Sequence, residues 1–266
     1  MTCSLLLFLA LTTAAAPQAA SAARVALVPF ASSEGLARLA RSPDRVDFGH
    51  LANAFEGQEN IAFCGVASSV IVLNALRDRD GHFEKPKDDR LLPKSWGVEL
   101  RPGLELLYHR YTQGDFFTPE TDAVKRRDEV LGQPRTPGAP RDGGLQLRQL
   151  AQLLAVHGVA VQLRVADDAL NAAAIKRELI ENLSTENDYA LVNYSRAAVG
   201  QPGGGHISPL GAYDPGSDSF LVLDVNPNTQ PWVWVPAAAL IKGMQTRDVA
   251  ENRGYLLVKE GPAPLH

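Results

Sequence analysis

Gln58-Glu59-Asn60-Ile61-Ala62-Phe63-Cys64-Gly65 runs without a break into Val66-Ala67-Ser68-Ser69-Val70-Ile71-Val72-Leu73-Asn74-Ala75-Leu76. The second run reads as a buried helix, and it puts Cys64 in the first turn. Backbone N–H groups there lack intrahelical acceptors, and the helix dipole is positive at that end. Both favour thiolate over thiol, and the thiolate is the nucleophile. Gln58, a little upstream, can bring a side-chain amide beside the sulfur; with the Cys64 N–H it would form an oxyanion hole. A lone cysteine in a helix is otherwise an inert small residue, so the rest of the chain has to decide between the two.

The chain has 266 residues, 45% hydrophobic and 21% charged, enough for one full core or two lobes. A net charge of −4 and a pI near 5.9 give no electrostatic footprint for nucleic acid. Residues 1–22 read as a cleaved export signal. Leu5 to Leu11 is an apolar run too short to span a bilayer, and Ala20-Ser21-Ala22 fits the small-residue cleavage rule, although no basic residue precedes Arg24. Cys3 lies upstream of the apolar run, which argues against a lipoprotein anchor. The expectation is a periplasmic or secreted chain, free of the membrane after cleavage, with residues 23–266 forming a single domain. Removal of Cys3 leaves Cys64 alone in a compartment that promotes disulfides. An unpaired cysteine there signals intermolecular pairing or a reactive thiol.

In chain order, Val25 to Phe30 reads as an edge strand or packed arm, Ser33 to Ala40 as a short helix and Asp47 to Gln58 as a polar approach to the Cys64 helix. Asp78 to Gly81 stops that helix. Lys85 to Pro102 is a charged connector, and Leu104–Tyr111 and Pro119–Val130 are expected helices. Residues 132–144, rich in Gly and Pro, form a loop. Leu145 to Val156 is an amphipathic helix ending at His157, read as a solvated capping residue. A strand over Val159–Val165, a helix over Ala169–Leu183 and a strand over Tyr189–Tyr194 follow. The resulting α+β expectation is a helical lobe carrying Cys64 beside a lobe of antiparallel sheet.

Gly203 to Tyr213 is a strand entered through glycines, Asp214-Pro215-Gly216-Ser217 a turn, and Ser219 to Val225 the returning strand. A hairpin centred on Pro215 sets His206 opposite Asp224, with Cβ atoms about 5 Å apart; Pro209 can shift that register through a bulge. Asp224 follows four apolar residues and needs a partner if buried. A cysteine at a helix start, a histidine far downstream and an orienting carboxylate after it match the chain order of papain-like thiol enzymes. A metal site built from Cys64, His206 and Asp224 lacks short ligand spacing on one element and ranks lower.

Together these residues resemble the phytochelatin synthase family in its short bacterial form, over roughly Phe55 to Gln245. The resemblance rests on Gln58, Phe63-Cys64-Gly65-Val66-Ala67-Ser68, Val72 to Leu76, Asn193-Tyr194-Ser195-Arg196, Gly205-His206-Ile207-Ser208-Pro209-Leu210, Tyr213, Asp224-Val225 and Trp234-Val235. It implies a papain-like fold and transfer of γ-glutamylcysteine from glutathione. Cys64 would attack the Cys–Gly amide, His206 carry the proton, Asp224 orient His206 and Gln58 help bind the oxyanion. Ala67, Ser68, Gly205, Ile207 and Arg196 would be substrate contacts, though a solvated loop is the commoner place for an arginine such as Arg196. The resemblance implies no bound cofactor; heavy-metal ions such as cadmium would arrive as thiolate complexes of the substrate. A homodimer is left open. The cysteine-rich C-terminal region of longer members is absent, and Asn226 to Pro231 replaces a segment often carrying Arg and Lys-Tyr. Hydrolysis of glutathione is therefore expected to outweigh chain extension. Two alternatives stay open: a general papain-like peptidase, and a periplasmic protein that binds glutathione or its metal thiolates without chemistry.

Overall fold

The computed structural model describes residues 25–78, 85–88, 90, 108–167, 170–226, 228 and 231–261. The expected export signal, most of the charged connector and the start of the helix expected at Leu104 lie outside them. β1 (Val28–Pro29) is followed by α1 (Ser33–Arg41), α2 (Phe48–Asn53) and α3 (Cys64–Arg77). Then come β2 (Lys87–Asp88), β3 (Tyr108–His109), α4 (Arg127–Val130), α5 (Leu147–Val156), β4 (Val159–Val165) and α6 (Ala172–Leu183). The chain closes with β5 (Asp188–Ser195), β6 (Gly205–Asp214), β7 (Ser219–Val222), β8 (Val233–Pro236), α7 (Ala237–Met244) and β9 (Gly254–Glu260).

Seven strands form one antiparallel sheet in the order β1-β8-β7-β6-β5-β9-β4. Strand β5 is apolar at successive positions because both its faces are buried. Leu191 joins a core with Val70, Leu73 and Leu150 of α3 and α5, while Ala190, Val192 and Tyr194 join a second core with Leu179 and Leu240 of α6 and α7. The mixed helix and antiparallel-sheet class is as expected, but the sheet does not stand as a separate lobe: helices cover it on both sides. α3 is buried from Gly65 to Leu73, as its all-round apolar sequence demands. Ser68 Oγ donates to the Ile207 carbonyl at 3.1 Å, tying the helix to β6.

Several local expectations differ from the structure. Within Pro119–Val130 the chain makes only a short 3-10 turn, Thr121–Ala123, and α4. Tyr108–His109 is a strand. The polar approach to Cys64 contains α2, packed through Leu51. His157 is not solvated: its ring stacks on Phe116 at 4.9 Å, and its Nε2 lies 3.0 Å from the Phe116 carbonyl. Strand β9, built on the apolar run Tyr255-Leu256-Leu257-Val258, inserts between β5 and β4. Among the described residues no helix is long and apolar enough to cross a membrane.

Gly254 shows how tightly β9 is seated. A Cβ there would overlap the Arg164 carbonyl oxygen of β4. Gly254→Ala should lower stability by roughly 1–3 kcal/mol, read as a lower denaturation midpoint at unchanged slope.

Candidate active site

α3 starts at Cys64 with Phe63 as its N-cap and no side-chain cap bond, so side chains leave the first-turn N–H groups uncovered. Cys64, half-buried, has the His206 side chain and the Gly65 and Ile207 backbone N–H groups around its sulfur. His206 lies near the start of β6 and is 3% exposed. Its Nε2 is 2.9 Å from Asp224 Oδ1 and 2.8 Å from Ser208 Oγ, which leaves Nδ1 to face the thiol. Tyr194 pairs with His206 across β5 and β6 and meets the imidazole edge-on, centroids 5.8 Å apart, limiting its rotation.

His206 and Asp224 meet by a route other than the expected register. The ladder pairs Tyr213 with Phe220 and Leu210 with Val222, with an irregularity between Leu210 and Ala212 that leaves Gly211 unpaired. β7 ends at Val222, so Asp224 lies beyond the ladder rather than opposite His206 within it. The hairpin turn puts its positive φ on Asp218 rather than on Gly216. The contact survives because Leu223 N–H still bonds the Pro209 carbonyl at 3.0 Å, which aims the next residue at the imidazole.

Arg196 is no solvated loop arginine. It is 3% exposed and ion-paired with Asp224: Nη2 donates to Oδ1 at 2.9 Å, and Nη1 lies 2.8 Å from Oδ2. Gln58 donates both amide hydrogens, to the Asn60 and Ile61 carbonyls at 2.8 and 3.0 Å, so its amide does not aim at an oxyanion in this state. Ala67 and Ser68 are fully buried in the core and present no surface to a substrate. Gly205 and Ile207 line the cleft with Cys64 and His206.

That cleft, about 260 Å³, holds a group the sequence reading passed over. Arg253 Nη1 bonds Asn193 Oδ1 at 2.9 Å and Asp248 Oδ2 at 3.0 Å, and Asn193 Nδ2 donates to Asp248 at 3.1 Å. The guanidinium lies so close over Gly205 that a Cβ there would overlap it. A lone Arg after a polar loop carries no motif; an available signal was Asn193, a polar residue inside an otherwise apolar strand. Among the described residues no group of three or more His, Cys, Asp or Glu is arranged to hold a metal ion.

Burial alone would push the Cys64 thiol up, but the hydrogen bond and charge of His206 and the two N–H donors outweigh it, and the thiol falls below its ordinary value. Burial lowers His206, yet the bonds to Asp224 and Cys64 prevail and raise it. Asp224 is pushed up by burial and pulled further down by His206 and Arg196, so it stays ionised. Both shifts run toward a thiolate–imidazolium pair.

An activated cysteine in a cleft, backed by histidine and a charged aspartate, is the arrangement of a thiol nucleophile for acyl transfer. A profile of the phytochelatin synthase family matches residues 21–89 and 108–255, and the chain belongs to that family. It is 26% identical over 224 residues to "Glutathione gamma-glutamylcysteinyltransferase 3" of Lotus japonicus, covering 82% of this chain and 39% of the relative. It is 28% identical over 236 residues to "Glutathione gamma-glutamylcysteinyltransferase 1" of Triticum aestivum, covering 87% and 40%. Identity to the Schizosaccharomyces pombe "Glutathione gamma-glutamylcysteinyltransferase" is 24% over 217 residues, covering 81% and 44%. The chain thus spans about two fifths of the length of these curated relatives.

Iodoacetamide should alkylate Cys64 of the native protein at mildly acidic pH much faster than it alkylates an ordinary thiol, because thiolate is already present there. His206→Ala should remove that advantage and leave a rate that rises only as pH approaches the usual thiol range. Equal rates for the two proteins at acidic pH would contradict the pairing.

Proposed function

We propose that the chain is a glutathione γ-glutamylcysteinyltransferase of papain-like fold, in which Cys64 is the nucleophile and water the main acceptor. The observation that carries this reading is Cys64 at the head of α3 sharing one cleft with Asp224-held His206, a cleft that also holds Arg253 and Asp248. Glutathione carries a γ-glutamyl zwitterion at one end. Arg253 fits its carboxylate and Asp248 its ammonium: the two are ion-paired at 3.0 Å and steadied by Asn193, and a zwitterion is the charge complement of that pair. Such a site selects a γ-linked peptide over an ordinary one, which favours this reading over a general peptidase.

In the first half-reaction the thiolate adds to the Cys–Gly carbonyl, and the imidazolium gives its proton to the departing glycine nitrogen. The C–N bond breaks, and a γ-Glu-Cys thioester stays on Cys64. In the second half-reaction neutral His206 takes a proton from water, hydroxide adds to the thioester, and γ-Glu-Cys leaves as Cys64 regains its thiolate. Gln58 becomes an oxyanion donor by turning its amide away from the Asn60 and Ile61 carbonyls. The acceptor preference follows from charge: residues 226–231 are Asn-Pro-Asn-Thr-Gln-Pro, without a cation, and Arg196 is engaged with Asp224. A second anionic peptide therefore meets little attraction there. Cadmium would enter only as the thiolate complex of an acceptor glutathione.

Incubation with glutathione, with and without cadmium, and resolution of the products by mass tests this. Expected are free glycine, γ-Glu-Cys, and a γ-Glu-Cys adduct on Cys64 at early times; abundant longer oligomers would overturn the acceptor preference, and no glycine release would overturn the activity. Arg253→Ala should raise the KM for glutathione roughly 10- to 100-fold, the weight of a charged hydrogen bond of about 1.5–3 kcal/mol. Its Cys64 alkylation rate should stay within about twofold of the native rate.

A further inference from the structure

Arg196 lies behind the site, not in it. It is 3% exposed and does not line the cleft. Its Nη1 donates to Gln201 Oε1 at 2.9 Å while its Nη2 donates to Asp224 Oδ1 at 2.9 Å, and Nη1 also lies 2.8 Å from Oδ2. Gln201 is itself 4% exposed, and its Oε1 also accepts from the Tyr194 hydroxyl at 3.4 Å. The backbone seats this arginine from both sides: Arg196 N–H donates to the Gly204 carbonyl and Gln201 N–H to the Arg196 carbonyl, each at 2.9 Å. Gly203, at φ +111, leaves room for the Arg196 stem, 3.1 Å from where a Cβ would stand. Burying a guanidinium is costly, and an apolar pair of similar size would stabilise the fold at least as well. The arrangement therefore asks for a role beyond stability.

We propose that Arg196, clamped by Gln201, is a positioning residue for the reaction: it fixes the Asp224 carboxylate against His206 and balances its charge. This rests on Cys64 being the nucleophile. Asp224 without Arg196 would be a buried anion with only the imidazole and the Asn226 N–H, 2.9 Å from Oδ1, to offset it. It would hold the imidazole proton too tightly to release it to glycine, and it would oppose ionisation of the nearby thiol. The other ionisable groups around the pair are Cys64 on α3, Tyr194 on β5, and Asp248 and Arg253 across the cleft. Arg253 is matched by Asp248, so Arg196 is the cation that offsets Asp224.

The test follows Cys64 alkylation by iodoacetamide across pH in the native protein and in Arg196→Gln, Arg196→Lys and Gln201→Glu, each checked for folding by circular dichroism. Arg196→Gln should move the midpoint at which thiolate reactivity appears to higher pH by about half a unit or more, because a nearby positive charge is lost. Gln201→Glu keeps the acceptor for Arg196 but adds a compensating negative charge, and should move it the same way even if Arg196→Gln fails to fold. Arg196→Lys should keep the native midpoint and lose turnover at every pH, since one ammonium cannot bond Asp224 and Gln201 in the guanidinium's fixed geometry. A purely structural arginine would lower activity without moving any midpoint. A native midpoint in Gln201→Glu, or in a folded Arg196→Gln, overturns the proposal. Alkylation needs no glutathione, so a shifted midpoint in a protein inactive on glutathione would sink only the substrate assignment.

Discussion

Four ionisable groups in a row define this molecule: the Cys64 thiol, the His206 imidazole, the Asp224 carboxylate and the Arg196 guanidinium. None could be enclosed alone, since an isolated buried ion costs several kcal/mol. Enclosed together they sum to zero, and each is held by hydrogen bonds as well as by charge. The fold makes this meeting possible by bringing three distant parts of the chain to one place: the start of α3, the start of β6 and the residues just past β7.

Burial and pairing pull in opposite directions at every member of the row, and pairing wins at each. The direction of each shift favours proton transfer from the thiol to the imidazole. The cleft in front is polar in an ordered way. Arg253 and Asp248 offer opposite charges side by side, a surface suited to a zwitterion rather than to a neutral peptide backbone.

Much of this was legible before any coordinates. A continuous apolar run starting at a cysteine announces a buried helix, since only burial on all sides tolerates Val66 to Leu73. The apolar strand ending at Asp224 announced a buried carboxylate in need of a partner, and the glycine-led strand supplied His206. What was not legible depended on tertiary detail. The extra residue at Gly211 and the early end of β7 change the register, yet Asp224 still reaches His206 from outside the ladder. Arg196 reads as a loop residue because its partners are a carboxylate 28 residues later and Gln201. Ala67 and Ser68 carry the family resemblance for packing reasons, one filling the core and the other bonding Ile207. Arg253 stayed invisible because β9 pairs with β5 and β4, strands distant in sequence, and only that pairing places it over Gly205.

The most direct measurement is the NMR titration of the His206 ring in the native protein and in Cys64→Ala. A thiolate beside the imidazole stabilises its proton, so the ring should deprotonate at distinctly higher pH in the native protein than in the variant. Coincident titration curves would mean that no ion pair forms between sulfur and imidazole, and would contradict the account.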